Sequence, residues 1–371
     1  MGDFAGSSRL PGRIGKTAAA AGDPHYAKCL PRGVCRRSGR EEIMEKAGTV
    51  LRIERISLND GEGMRTVVFL KGCPLRCAWC STPESQKREP EVYYLRERCR
   101  LCGACIAACP EGALGFSPEG NAVVRDVRAC KNCGKCVDAC NFRAQQVYGR
   151  QMTVSQVMEE IHKDDIFYYY SGGGVTLSGG DIFCQTDFAE ALLDACDEGC
   201  IDTAAEMDLC TSPEHVRRIL PRLRLAYIDL KCMDPLGHQH WTGVDNQIIL
   251  ENIRLADEVC RPGAIHIRIP VIAGVNDSRA NLEASADFCG MLKNCSELEF
   301  LPYHRLGTHA YRQLMREYPM EGRKPMNRLD VYRRMGFLCD RKYSFRIRIS
   351  GMTVYDPGRG KIPVTEEELG R

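Results

Sequence analysis

Eleven cysteines fall into three tight groups between residues 73 and 140, and no other feature of the sequence restricts its folding as much. The first group, Cys73, Cys77 and Cys80, has the spacing Cys-x3-Cys-x2-Cys in GCPLRCAWC. The second, Cys99, Cys102, Cys105 and Cys109, has the spacing Cys-x2-Cys-x2-Cys-x3-Cys and is followed by Pro110. The third, Cys130, Cys133, Cys136 and Cys140, repeats that spacing with Asn141 in place of the proline. A disulfide framework would suit a small secreted domain behind a signal peptide. This chain has 371 residues and no continuous apolar stretch at its N-terminus. No run approaches the roughly 18 apolar residues that span a bilayer. The sequence therefore predicts a cytoplasmic protein in a reducing compartment, where thiols so spaced serve as metal ligands. Basic and acidic residues number 51 and 49, for a net charge of +2, so no global field selects nucleic acid or a membrane.

Residues 1–45, rich in Gly, Ala, Arg and Lys, carry no sustained period and are expected to be disordered, with Met44 as an alternative start. From Val50 onward, short β-rich runs alternate with amphipathic stretches, the rhythm of parallel strands joined by crossover helices. Strands are expected at Thr66 to Lys71, Gly174 to Leu177, Ile201 to Ala205, Leu225 to Leu230, Ile265 to Ile272 and Glu297 to Leu301. Helices fit near Val154 to Lys163, Phe188 to Glu198, Pro213 to Leu220, Ile248 to Asp257 and Arg279 to Leu292. This is an α/β chain whose six repeats make a partial (β/α)6 barrel over 46–89 and 149–350, with 351–371 as a C-terminal tail. Residues 90–148 break the rhythm into two similar halves, each with four cysteines and little else to form a core. They are expected to be an inserted α+β domain stabilised by its metal.

Three thiolates in the first group carry a chemical meaning. A [4Fe-4S] cubane has four irons, so three protein ligands leave one iron open to a substrate, as open positions mark catalytic zinc sites. Zinc with a fourth ligand elsewhere is the alternative, although the spacing differs from ordinary zinc knuckles. The motif resembles that of the radical S-adenosylmethionine superfamily, including the aromatic Trp79 before the last cysteine. In that family the open iron binds the amino and carboxylate groups of S-adenosylmethionine. The second and third groups resemble the runs of bacterial ferredoxins, where the fourth cysteine of each run crosses to the other cluster. That resemblance implies one cluster on Cys99, Cys102, Cys105 and Cys140, and another on Cys109, Cys130, Cys133 and Cys136. A zinc ribbon would leave the third and fourth cysteines of each run without use. The remaining cysteines, among them Cys184, Cys196, Cys200, Cys232, Cys260, Cys289 and Cys339, are expected to be small core residues.

Five further segments, together with the cysteines, resemble the activating enzymes of glycyl radical enzymes from about Val50 to Ser350. They are DGEGMRT (Asp60 to Thr66), SGGGVTLSGGD (Ser171 to Asp181), IDLKCMD (Ile228 to Asp234), IRIPVIAGVND (Ile267 to Asp277) and LPYHRLG (Leu301 to Gly307). Glycines on both sides of a strand let backbone N–H groups approach a ligand. A nucleotide-binding loop would instead place its glycines after the strand, opening a helix. The resemblance implies that Gly179 and Gly180 hold the methionine moiety, with Asp181 standing where the family has Glu. It also implies S-adenosylmethionine contacts for Trp79, Ser81, Glu206, Asp229, Lys231, Arg268 and His304, and a catalytic role for Lys231 beside the three cysteines. Asp229 and Lys231 share one side of a strand by alternation. Arg268 and His304 are expected at the ends of the fifth and sixth strands, on the rim where barrel active sites gather.

The resemblance further implies three [4Fe-4S] clusters and S-adenosylmethionine as cosubstrate. It implies reductive cleavage to methionine and 5'-deoxyadenosine, with hydrogen taken from a backbone glycine of a partner enzyme. Flavodoxin or ferredoxin would supply electrons to a monomer, and the inserted clusters would relay them. Two alternatives stand beside it: a radical enzyme acting on a small molecule or another peptide, and a ferredoxin-like electron carrier without catalysis.

Overall fold

The run TVVFL is β-branched and apolar at nearly every position, which suits a strand covered on both faces. In the structure, a computed structural model that describes residues 37–370, this run lies in a wholly buried strand. The strands are β1 (Ala47–Ser57), β2 (Arg65–Leu70), β3 (Glu91–Tyr94), β4 (Leu114–Phe116), β5 (Val123–Arg125), β6 (Gln145–Tyr148), β7 (Arg150–Thr153) and β8 (Gly174–Gly179). They continue with β9 (Asp202–Met207), β10 (Leu225–Asp229), β11 (Ile265–Val271), β12 (Cys295–Pro302), β13 (Arg346–Ile349), β14 (Met352–Asp356) and β15 (Gly360–Lys361). One sheet runs in the order β15-β14-β13-β12-β11-β10-β9-β8-β2-β1-β7. From β2 to β13 every neighbour is parallel, while β1, β7, β14 and β15 pair antiparallel at the two margins.

The crossover helices are built by ordinary local rules. Thr153 and Gln156 form a reciprocal capping box for Val154–Ile161, and Ser212 caps Pro213–Ile219 with proline at its first turn. Each cap contributes about 1 kcal/mol. Along Thr186–Glu198 the residues Phe188, Ala189, Leu192, Leu193 and Cys196 are buried, giving the helix one apolar face against the sheet. These faces and the strands form one apolar core that extends from Val50 to Leu369.

Two expected boundaries are corrected. Residues Arg37–Glu45 form a helix, and Ile43 and Met44 pack on the core, so the ordered chain starts before 46. Its RSGREEIME sequence presents only two apolar residues, too few to reveal a period. Residues 1–36, assigned to the same expected disordered extension, lie outside the described residues. The expected tail from 351 onward instead contributes β14, β15 and the helical turn Glu366–Gly370, burying Val354, Tyr355 and Leu369. Strand β1 was also not expected, since its outer half is polar and exposed.

Strands β3 to β6 and the cysteine-bearing segments between them make up the insertion expected at 90–148. Strands β3 and β6 pair at its base, and β4 and β5 make a hairpin. Two four-residue helical turns, Ala104–Ala107 and Lys135–Asp138, each follow a glycine in the left-handed region, Gly103 and Gly134. Among the described residues no helix is long and apolar enough to cross a membrane.

Candidate active site

The loop leaving β2 begins at Gly72, whose φ of +104° and whose Cβ position 2.7 Å from the Cys184 Cβ require glycine. It is pinned by backbone bonds to distant segments. Gly72 N–H donates to Ser85 O (2.6 Å), Cys73 N–H to Gln86 O (3.1 Å), Arg76 N–H to Thr242 O (2.7 Å) and Ala78 N–H to Trp241 O (2.9 Å). The positions of the three cysteines are thus set by the barrel. Cys73, Cys77 and Cys80 line one cavity of about 460 Å³, together with Trp79 and Ser81.

The opposite walls come from strand ends. Ser178 and Gly179 end β8 and Gly180 follows it, Glu206 lies in β9 with Asp208 just after it, Asp229 ends β10 with Lys231 two residues on, and Tyr303 and His304 directly follow β12. Six flat parallel strands would spread these groups over about 24 Å. Their convergence on one cavity requires the sheet to curve as a partial barrel.

Charge is concentrated here. Burial pushes all three thiols up, Cys77 to about 12, so without a cation among them they stay neutral. A positively charged metal group in the cavity would reverse that preference. Burial works against the charge of Lys231, yet its ion pair with Asp229 holds its pKa above the usual lysine range. Ser178 Oγ donates to Glu206 Oε2 at 2.6 Å, and Arg268 pairs with the other oxygen. Burial lowers the pKa of His304.

Not every expected contact reaches the cavity. Asp181 is buried and its carboxylate accepts from the backbone N–H groups of Phe183 (2.8 Å) and Asp208 (2.7 Å). One methylene shorter than Glu, it ties β8 to β9 instead of lining the space. Arg268 sits in the middle of β11, not at its end, with its guanidinium 3.9 Å from the Tyr227 ring centre and 3.6 Å from Glu299. It touches the site through Glu206. Gly179 and Gly180 do line the cavity, but a Cβ on them would lie 2.2 Å from Leu70 O and 2.1 Å from Gly72 O. Packing under the cysteine loop is itself enough to demand glycine there.

Asp208 was missed by the sequence reading. It lines the cavity with an oxygen 3.5 Å from Cys73 Sγ, and burial together with Asp181 pushes its carboxyl well above the usual range. The signal was available, since Glu206 and Asp208 are two residues apart and face the same way by strand alternation.

The insertion contains two more cysteine-lined cavities. Cys99, Cys102, Cys105 and Cys140 surround one, and Cys109, Cys130, Cys133 and Cys136 surround the other. In each set the fourth cysteine therefore comes from the opposite half of the insertion. The sulfurs ring a space instead of converging on a point. Among the described residues no three or more Cys, His, Asp or Glu come close enough to hold a single metal ion, as tetrahedral zinc with sulfurs about 2.3 Å away would need. Buried polar atoms without a protein partner face these spaces: Arg125 Nε lines the second cavity and the Gln145 amide the first. Such donors fit a cluster with sulfide and thiolate acceptors.

Of the scattered cysteines, Cys196, Cys232, Cys260, Cys289 and Cys339 are buried, Cys184 is half-buried beside Gly72, and Cys200 is exposed.

Comparison with known proteins gives the class first. A family model described as a 4Fe-4S dicluster domain matches residues 91–141, and one described as the radical SAM superfamily matches residues 133–286. Fold and site define a radical S-adenosylmethionine enzyme. The choline trimethylamine-lyase activating enzyme of Oleidesulfovibrio alaskensis is 37% identical over 311 residues, covering 83% of this chain and 99% of that one. The (2S)-3-sulfopropanediol sulfolyase activating enzyme of Bilophila wadsworthia is 40% identical over 294 residues (77% and 96%). The indoleacetate decarboxylase activating enzyme of Tractidigestivibacter scatoligenes is 38% identical over 281 residues (74% and 88%). The chain belongs to the activating enzymes of glycyl radical enzymes. It uses S-adenosylmethionine and iron-sulfur clusters, cleaves the former reductively, and abstracts a hydrogen atom to activate its partner.

Proposed function

We propose that cleavage takes place in the cavity of Cys73, Cys77 and Cys80, and that the insertion carries two further [4Fe-4S] clusters, three in all. The observation that carries this reading is that three cysteines, not four, share their cavity with polar groups from the ends of several strands. A cluster bound there supplies the single electron that reduces the sulfonium of S-adenosylmethionine. The backbone at Gly179 and Gly180 holds the methionine part. Glu206, oriented by Arg268 and Ser178, receives the ammonium or ribose side. The Asp229–Lys231 pair lies beside Cys77 and would orient the cosubstrate toward a cluster held by the three cysteines, and Lys231 serves as a catalytic residue by keeping positive charge there. Trp79, Ser81 and His304 close the space against water. The target is a glycine Cα–H in a loop of the partner enzyme. A flavodoxin or ferredoxin delivers electrons to the insertion of a monomeric, cytoplasmic protein, whose eight cysteines would hold clusters able to relay them.

Anaerobically prepared protein is expected to hold about twelve irons and twelve sulfides. Replacing Cys73, Cys77 and Cys80 by Ala should abolish release of methionine and 5'-deoxyadenosine while about eight irons remain. Unchanged methionine release would refute the assignment.

A further inference from the structure

The two inserted sites have the same cysteine spacing but different buried donors. At the cavity of Cys109, Cys130, Cys133 and Cys136 the donor is Arg125, only 8% exposed. Its Nη1 donates to Val92 O and its Nη2 to Leu314 O at 3.1 Å, which leaves Nε as the buried group without a protein partner. At the cavity of Cys99, Cys102, Cys105 and Cys140 the donor is Gln145, 1% exposed, with neither amide atom partnered. Two short strands, β5 and β6, thus deliver a cation to one site and a neutral amide to the other.

We propose that Arg125 and Gln145 set the inserted clusters to different reduction potentials, with the cluster at Cys109, Cys130, Cys133 and Cys136 the higher. The proposal rests on the reading that both sites bind [4Fe-4S] clusters. Reduction adds one negative charge to a cluster that four thiolates already make negative. A fixed guanidinium in a dry site stabilises that added charge more than an amide dipole does. Hydrogen bonds to the sulfurs and local net charge are the established levers on such potentials. Arg125 keeps its charge at any accessible pH, because arginine does not deprotonate in proteins.

The same residue joins its site to the barrel. Leu314 caps the helix Thr308–Gln313, which follows Gly307, and a Cβ on Gly307 would lie 2.5 Å from Cys80 O. Both cavities are lined wholly by the insertion, but through its bond to Leu314 O Arg125 is one short helix away from the cysteine loop of the barrel. A one-electron carrier protein that reduces the insertion is itself oxidised by one electron, and that electron rests preferentially at the site whose arginine bonds Leu314.

The test is a redox titration of the holoenzyme followed by electron paramagnetic resonance. Cys133→Ser and Cys102→Ser each remove one inserted cluster and so assign its signal. The signal lost in Cys133→Ser is expected to have the higher midpoint. Arg125→Gln should lower that midpoint by about 59 mV or more, equal to a tenfold loss in the reduced to oxidised ratio at fixed potential, and leave the other signal in place. Arg125→Lys, which keeps the charge and loses Nε–H, should fall between, and serves if the glutamine variant does not assemble. A higher midpoint for the signal lost in Cys102→Ser, or no shift in either Arg125 variant, would overturn the proposal. Absence of both signals in protein with full barrel-site activity would instead reject the two-cluster reading beneath it.

Discussion

The barrel and its insertion hold their cysteines by opposite means. In the barrel, the loop of Cys73, Cys77 and Cys80 hangs from an extended apolar core and is fixed by backbone bonds to Ser85, Gln86, Trp241 and Thr242. In the insertion the buried apolar cluster is Val92, Tyr94, Cys105, Leu114, Val123, Cys136 and Ala144, so two of its members are the proposed ligands themselves. One region can form its site before metal arrives. The other has so small an apolar cluster that bound metal is expected to complete its core. The two are joined by a buried ionic junction: Glu91, at the start of the insertion, pairs with Arg316 and lies 3.9 Å from the fully buried Lys71 next to Gly72.

That contrast predicts its largest effect on iron removal. Anaerobic chelation should cost amides of residues 91–148 at least about a hundredfold in hydrogen-exchange protection, while β8 to β12 keep theirs. An insertion that stays protected without iron would break the comparison.

A smaller effect belongs to the barrel alone. His266 on β11 is buried against Tyr227 and lies 3.8 Å from Glu297. Burial, with Arg268, Arg346 and Arg348 nearby, outweighs Glu62 and lowers its pKa from 6.5 to about 4. The folded state therefore keeps it neutral while the unfolded chain protonates. Its contribution is complete above pH 6.5 and is lost toward pH 4, at about 1.4 kcal/mol per unit. Thermal midpoints of wild type should fall more steeply between pH 7 and 5.5 than those of His266→Gln. Parallel profiles would contradict a neutral His266.

The smallest effect concerns the first helix. Ile43→Ala with Met44→Ala should destabilise the barrel by about 1–2 kcal/mol and leave iron content and S-adenosylmethionine cleavage intact. Unchanged thermal stability would mean that the helix adds nothing to the core.

Six of the seven parallel strands were legible because buried β-rich runs such as TVVFL and IHIRIPV have one reading at that length; the four-residue β13, with its alternating arginines, was not. The margins were not, because β1, β14 and β15 are half-exposed or only two to a few residues long and owe their pairing to the sheet beside them. Cysteine spacing likewise brought eleven positions to three cavities. Side chains that work through a neighbour were less visible. Asp181 turned to backbone N–H groups, and Arg268 lay under Glu206 in mid-strand. Arg125 and Gln145 carried no motif at all, since only the fold shows that Arg125 Nε and the Gln145 amide are buried without partners.

The central claim is that the insertion feeds electrons to a barrel site that can assemble without it. Its most direct test is Cys99→Ala combined with Cys130→Ala, which damages both inserted clusters, with iron content and the paramagnetic resonance of the barrel cluster measured alongside. S-adenosylmethionine cleavage should fall strongly when flavodoxin or ferredoxin is the donor and largely survive with dithionite. Equal retention of cleavage with both donors would contradict the relay and leave the insertion a metal-folded docking surface.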